Sequence, residues 1–157
     1  MKSHARFLGH PIHQMLIVFP LGLLATAVFF DLIQLATDNL QWALVSYWMM
    51  AAGIVGAVVA APFGVIDWMA VPRHTRARRI GAMHGLGNGV VSLLFVISWL
   101  LRSPDEAPGA AALVCSFAGA ALALVTAWLG GELVARLGIG VYDDAGPDAP
   151  SSLHQSN

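Results

Sequence analysis

Apolar residues gather into four runs along this chain, Met15–Ala36, Trp42–Ile66, Ile80–Leu101 and Gly109–Gly131, and the short stretches between them are polar. Each run is about 20 residues long, the length at which a helix rising 1.5 Å per residue crosses the hydrocarbon of a bilayer. The pattern predicts an all-α fold, an integral membrane four-helix bundle. Short connections force neighbouring helices to run antiparallel, giving an up-and-down topology. The spans and their connections occupy residues 1–142 and leave no room for a soluble domain. From Asp143 the chain is polar and rich in Pro and Ser, so 143–157 are expected to form a disordered tail.

Composition agrees, with 57% hydrophobic residues, 11% charged residues and a mean hydropathy of +0.70. Charge then orients the bundle, because Lys and Arg are retained on the cytoplasmic side far more often than they are exported. Lys2, Arg6, Arg73, Arg76, Arg78, Arg79 and Arg136 fall on one side of the predicted bundle and only Arg102 on the other. Both termini are therefore expected in the cytoplasm, in a bacterial inner membrane. Lys2 and Arg6 before an apolar stretch containing Ala25-Thr26-Ala27 resemble a signal peptide, but the run continues to Leu35, which reads as an uncleaved first helix. The single cysteine, Cys115, permits no disulfide within one chain and reads as a small buried hydrophobe. No basic patch with interleaved aromatics points to nucleic acid, and the arginine cluster at 73–79 is accounted for by topology and anionic headgroups.

In a bilayer, close van der Waals packing must drive helix association, so small residues mark the contact faces. Ala52, Gly56, Ala60 and Gly64 form such a stripe in the second span, as do Gly81, Gly85 and Gly89 in the third and Gly119, Ala123, Ala127 and Gly131 in the fourth. The stripe of the third span is read either as plain packing or as a slot beside His84 for a flat ligand. Pro20 and Pro62 are candidate kinks.

Polar groups collect at one end. His10 and His13 open the first span, Asp67 closes the second, His84 and Asn88 begin the third and Glu132 follows the fourth. Ionisable residues edging a membrane span are costly and commonly mark a site. His13 and His84 start the odd helices while Asp67 and Glu132 end the even ones, which suggests a parallel two-plus-two pseudo-repeat with the histidines facing across its axis. Two facing imidazoles suit haem b, with His13 and His84 as axial ligands and Arg76, Arg78 or Arg79 on the propionates. They also suit a transition metal held by His10, His13 and His84 with Asp67 or Glu132, or simply interhelical hydrogen bonds without a ligand. Asp31 is expected to cap Asn39 and Gln41 or to stay solvated. Trp42, Tyr47, Trp48, Trp68 and Trp99 form an interfacial belt, and Trp128 is a candidate wall of the polar site.

The stretch Gly9-His10-Pro11-Ile12-His13-Gln14 through Leu24, Phe30-Asp31-Leu32, and the close Trp128-Leu129-Gly130-Gly131-Glu132-Leu133-Val134 with Gly138-Ile139-Gly140-Val141 resemble a bacterial membrane family, domain of unknown function 2231. Gly64 to Asp67 and His84 to Asn88 fall on that family's glycine-to-aspartate and histidine-to-asparagine positions. The resemblance covers residues 7–142 and implies a four-helix membrane domain, sometimes found beside Rieske-type or cytochrome-like redox proteins, which favours haem or electron transfer. Val18, Gln14, Ala135 and Leu137 depart from the family pattern, two of them at positions often histidine. A site resting on those extra histidines is thus unsupported here, whereas His13 and His84, with Asn88 and Glu132 beside them, are retained.

Two functions follow. One is a small redox or metal-binding subunit, with a redox protein partner or a second copy as its company. The other is a non-catalytic membrane module that holds no cofactor. No nucleophile with an adjacent base and no phosphate-binding loop is present, so no enzymatic activity is expected.

Overall fold

The computed structural model describes residues 1–154. A two-residue strand pair, β1 (Arg6–Phe7) and β2 (His10–Pro11), leads into the short helix α1 (Ile12–Leu16). The long helices α2 (Val18–Thr37), α3 (Leu40–Ala70), α4 (Arg76–Leu100) and α5 (Ala110–Gly131) follow, and a π-helical turn (Glu132–Arg136) extends α5. All four segments, Ile12–Thr37, Leu40–Ala70, Arg76–Leu100 and Ala110–Arg136, are long and apolar enough to cross a membrane. The chain is an up-and-down bundle of two hairpins, α2 on α3 and α4 on α5.

Local chemistry sets the boundaries. Pro20 has no N–H to offer the carbonyl of Leu16, and its ring crowds that carbonyl, so the first span breaks between α1 and α2 at Ile17 rather than kinking further on. Asp38, in the left-handed region at φ 51°, ends α2, and the Asn39 side chain caps α3 by accepting from the Gln41 N–H at 2.9 Å. Helix α3 runs about one turn past the apolar run and stops at Val71, held extended before Pro72. Thr75 caps α4 through the Arg78 N–H at 3.1 Å.

The buried positions repeat. Pro20, Leu24, Ala27 and Asp31 of α2 and Val91, Phe95, Ser98 and Arg102 at the end of α4 are matched pairs 71 residues apart, as Asp31 and Arg102 are. Ser46, Met50, Gly53 and Ala60 of α3 match Ala112, Ser116, Gly119 and Thr126 of α5, from 46 to 112 a step of 66. The two hairpins thus carry one pattern of buried positions twice. Size complementarity repeats with it. Leu24 fills the space over Gly53, where a Cβ would meet its Cγ at 2.7 Å, and Phe95 fills the equivalent space over Gly119 at 3.0 Å. Leu24, Ala27, Met50, Val91 and Phe95 form the central core.

The small-residue stripes hold only in part. The contact positions are Gly53, Gly56, Ala60 and Gly64 in α3 and Gly119, Thr126 and Gly130 in α5, whereas Ala52, Ala127 and Gly131 are exposed. A strict four-residue step overshoots a turn of 3.6 residues, so a stripe read that way leaves the contact face.

Asp31 neither caps the outer loop nor stays solvated. It is fully buried at the end of the bundle remote from the termini, where Arg102 grips both its oxygens at 2.6 and 2.7 Å. Ser46 donates to the same carboxylate at 2.6 Å and Ser116 at 3.1 Å, and Ser98 and Ser116 lie 3.2 Å from the guanidinium. A charge pair this deep persists because every polar atom of it is satisfied.

After Asp143, within the described residues, the Ser152 hydroxyl donates to the Leu8 carbonyl at 3.1 Å. Residues 155–157 lie outside the described residues. Cys115 is half-buried.

Candidate functional site at the basic end

The N-terminal segment, the chain after the π-helical turn as far as it is described, and the α3–α4 loop meet at one end, and with them all the basic residues except Arg102. Three anchors build this end. The Asp67 carboxylate, at the end of α3, accepts from the Ser3 hydroxyl at 2.7 Å and from the backbone N–H of His4 at 2.8 Å and Ala5 at 3.1 Å. It therefore fixes the strand pair that carries α1. The tight turn of that pair has Leu8 at φ 50° and Gly9 at φ 85°, positive at both central residues as a two-residue hairpin requires. Arg78 caps the end of α3, donating to the carbonyls of Trp68, Met69 and Val71 while stacking 3.8 Å above the Trp68 ring. Glu132 pairs with Arg76 at 2.6 Å.

Within this frame the two histidines occupy equivalent places. His13 on α1 holds Nδ1 3.0 Å from the Ala60 carbonyl, its ring against Gly64, where a Cβ would stand 2.8 Å from Cε1. His84 on α4 holds Nδ1 2.9 Å from the Thr126 carbonyl, its ring against Gly130, where a Cβ would stand 3.0 Å from Cε1. Ala60 and Gly64 match Thr126 and Gly130 under the same step of 66, and His13 and His84 match under the step of 71. A carbonyl only accepts, so each Nδ1 carries a proton, and in the neutral ring Nε2 then keeps its lone pair.

The repeat is unequal at one point. Asn88 donates to the His84 carbonyl at 2.9 Å and accepts from the Thr126 hydroxyl at 2.9 Å. Its amide nitrogen is nearly equidistant from the two ring nitrogens of His84, at 3.4 and 3.2 Å, so it lies in line with neither lone pair. It clamps the ring without consuming Nε2. The positions matching Asn88 and Thr126 in the first hairpin are Ile17 and Ala60, which offer no such clamp.

The structure puts His84 with Asn88 on α4 and seats His13 against α3, and it does not gather the full set expected from sequence. Among the described residues no three His, Cys, Asp or Glu gather as a metal site would need. His10 sits on β2, its Nε2 3.3 Å from the Ser152 hydroxyl, facing a cleft of about 360 Å³ shared with the tail. Asp67 and Glu132 are engaged by the N-terminal segment and Arg76. Trp128, expected to wall the site, is 65% exposed on the outer face. The glycine beside His84 is Gly130 of α5, while Gly85 and Gly89 on α4 face open space, with nothing within 4 Å of a Cβ at either. Sequence reasoning missed Gly130 and Thr126 as the seat of His84. The shared steps of 71 and 66 were the signal that would have found them.

Because each ring rests on a glycine, Gly64→Ala and Gly130→Ala are expected to turn the imidazoles off their carbonyl bonds at a cost of about 1–3 kcal/mol each. Imidazole nitrogen resonances in micelles check this; unchanged Nδ1–H signals in both variants would contradict it.

A family model described as a predicted membrane protein of domain of unknown function 2231 matches residues 9–143. No curated protein and no solved structure matches the chain.

Proposed function

Because the chain belongs to the domain of unknown function 2231 family of predicted membrane proteins, whose description assigns no activity, we propose a function from its own residues: a small, non-enzymatic membrane subunit that holds haem b between His13 and His84 and passes single electrons. The observation that carries this is the matched pair of Nδ1–carbonyl bonds, which fix both tautomers and leave both Nε2 lone pairs uncommitted.

The donor set decides between haem and a bare ion. A bare transition ion needs three or four protein ligands, and here Asp67, Glu132 and His10 are held elsewhere. A porphyrin brings its own equatorial nitrogens and asks the protein for two axial imidazoles only. Arg76 and Arg78 are committed to Glu132 and to the end of α3, so of Arg76, Arg78 and Arg79 the last is left for a propionate. When bound, haem supplies one-electron redox chemistry. The chain's own residues do the rest: the Ala60 and Thr126 carbonyls orient the rings, and Asn88 holds the rotamer of His84. A redox partner would approach the basic end.

Titrating haemin into the detergent-purified protein tests the proposal. Saturation at one haem per chain is expected, lost in His84→Ala with the helical content intact. A second reading, a cofactor-free packing module, is favoured by the fact that both rings already bridge helices over glycines. It predicts a titration without saturation and His13 and His84 variants that assemble normally.

We also propose that the basic end is cytoplasmic, in a bacterial inner membrane, from the asymmetry of seven basic residues against one. A C-terminal green fluorescent protein fusion is expected to fluoresce and an alkaline phosphatase fusion after Asp105 to be active; the reverse result would invert the topology.

A further inference from the structure

Asp31 and Arg102 are the same position of the repeat, and they touch each other. In an assembly of two identical hairpins, a position at the axis meets its own copy. The first hairpin paired with itself would therefore bury Asp31 against Asp31, and the second paired with itself would bury Arg102 against Arg102. Only the unlike pairing closes a salt bridge, and here it is complete: Asp31 is 0% and Arg102 2% exposed, with Ser46, Ser98 and Ser116 supplying the remaining hydrogen bonds from three helices.

The rest of the interface does not discriminate in this way. Leu24 over Gly53 and Phe95 over Gly119 are complementary within each hairpin, and the other matched core positions are small or apolar on both sides. Lipid offers no hydrophobic drive that would rank one pairing above another. Two near-equivalent hairpin surfaces in a membrane crowded with copies of the same chain would otherwise accept each other across molecules.

We propose that the Asp31–Arg102 pair is a recognition code: it makes the surface of the first hairpin a docking face for the second hairpin and bars it to the first hairpin of another copy. The inference is independent of any cofactor. Like charges brought together at a buried interface are strongly disfavoured, and a single buried polar position is known to fix pairing at some cost in stability.

Two differently tagged copies of the full-length protein, co-expressed and purified in mild detergent, test the code. Asp31→Leu with Arg102→Leu removes it without leaving an unpaired charge, so this double variant should fold. It is expected to co-purify across tags about tenfold more than the parent, the factor that 1.4 kcal/mol of lost discrimination corresponds to. The exchanged pair, Asp31→Arg with Arg102→Asp, restores the unlike contact and is expected to return cross-tag association to the parent level, whereas Asp31→Arg alone loses folded material. A leucine pair that associates across tags no more than the parent would overturn the proposal, leaving the charges a role in stability alone. So would an exchanged pair no better than Asp31→Arg.

Discussion

Replacing Arg102 by Leu is expected to destabilise the bundle by about 3–5 kcal/mol, the usual cost of stranding one member of a buried charge pair. The Asp31 carboxylate would keep the hydroxyls of Ser46 and Ser116 but lose both guanidinium contacts at a fully buried position. Thermal unfolding followed by circular dichroism in micelles reads this directly. Ser116→Ala serves as the scale: it removes one hydroxyl that lies 3.1 Å from Asp31 and 3.2 Å from Arg102 and should cost about 1 kcal/mol. An Arg102→Leu protein as stable as Ser116→Ala would mean that the pair is not buried as described.

Gly53→Leu is the second large effect. A Cβ at Gly53 would stand 2.7 Å from both Cγ and Cδ2 of Leu24 and 3.3 Å from the Cβ of Leu23, so the larger side chain wedges α2 from α3 near the centre of the core. Overpacking of this kind costs about 1–3 kcal/mol, and more where backbones must part. The clash is with one flexible side chain, which makes it reversible by design. Leu24→Ala alone leaves a cavity and is expected to cost about 2–5 kcal/mol, yet added to Gly53→Leu it should recover much of the loss. The two positions touch, so their effects should be strongly non-additive. Additive losses in the double variant would show that Leu24 does not fill the space over Gly53.

Much of this architecture is written in the chain. Four runs of apolar residues and short polar connections are enough to place the spans, because the bilayer admits few other solutions. The pairing of His13 with His84 as repeat equivalents is also legible. The pairing of Asp67 with Glu132 is not: under the step of 66 the matches are Asp67 with Leu133 and Ile66 with Glu132, so the two acids leave their helices on different faces. One lies under the N-terminal segment and the other beside Arg76. A slip of one residue is invisible when only the residue type near a helix end is compared.

Arg102 shows a different limit. As the one basic residue against seven it reads as an exception to topology, and Asp31 reads as a polar residue near a loop. Neither residue alone announces a partner 71 positions away. What links them is the spacing they share with His13 and His84, and that spacing gains meaning only once the buried faces of both hairpins are known. The histidine site has the same character. The imidazoles are plain in the sequence, but their tautomers are set by carbonyls of Ala60 and Thr126, backbone groups that no side-chain motif encodes.

The central claim is that His13 and His84 present two free Nε2 lone pairs to one haem. The most direct test is the visible spectrum of protein purified from haem-replete cells, oxidised and then reduced with dithionite, with metal analysis of the same sample. A Soret band with sharpened α and β bands on reduction, one iron per chain, and loss of all three features in His84→Ala is the predicted result. A featureless spectrum without stoichiometric iron would contradict the claim and leave the two histidines as bridges between helices.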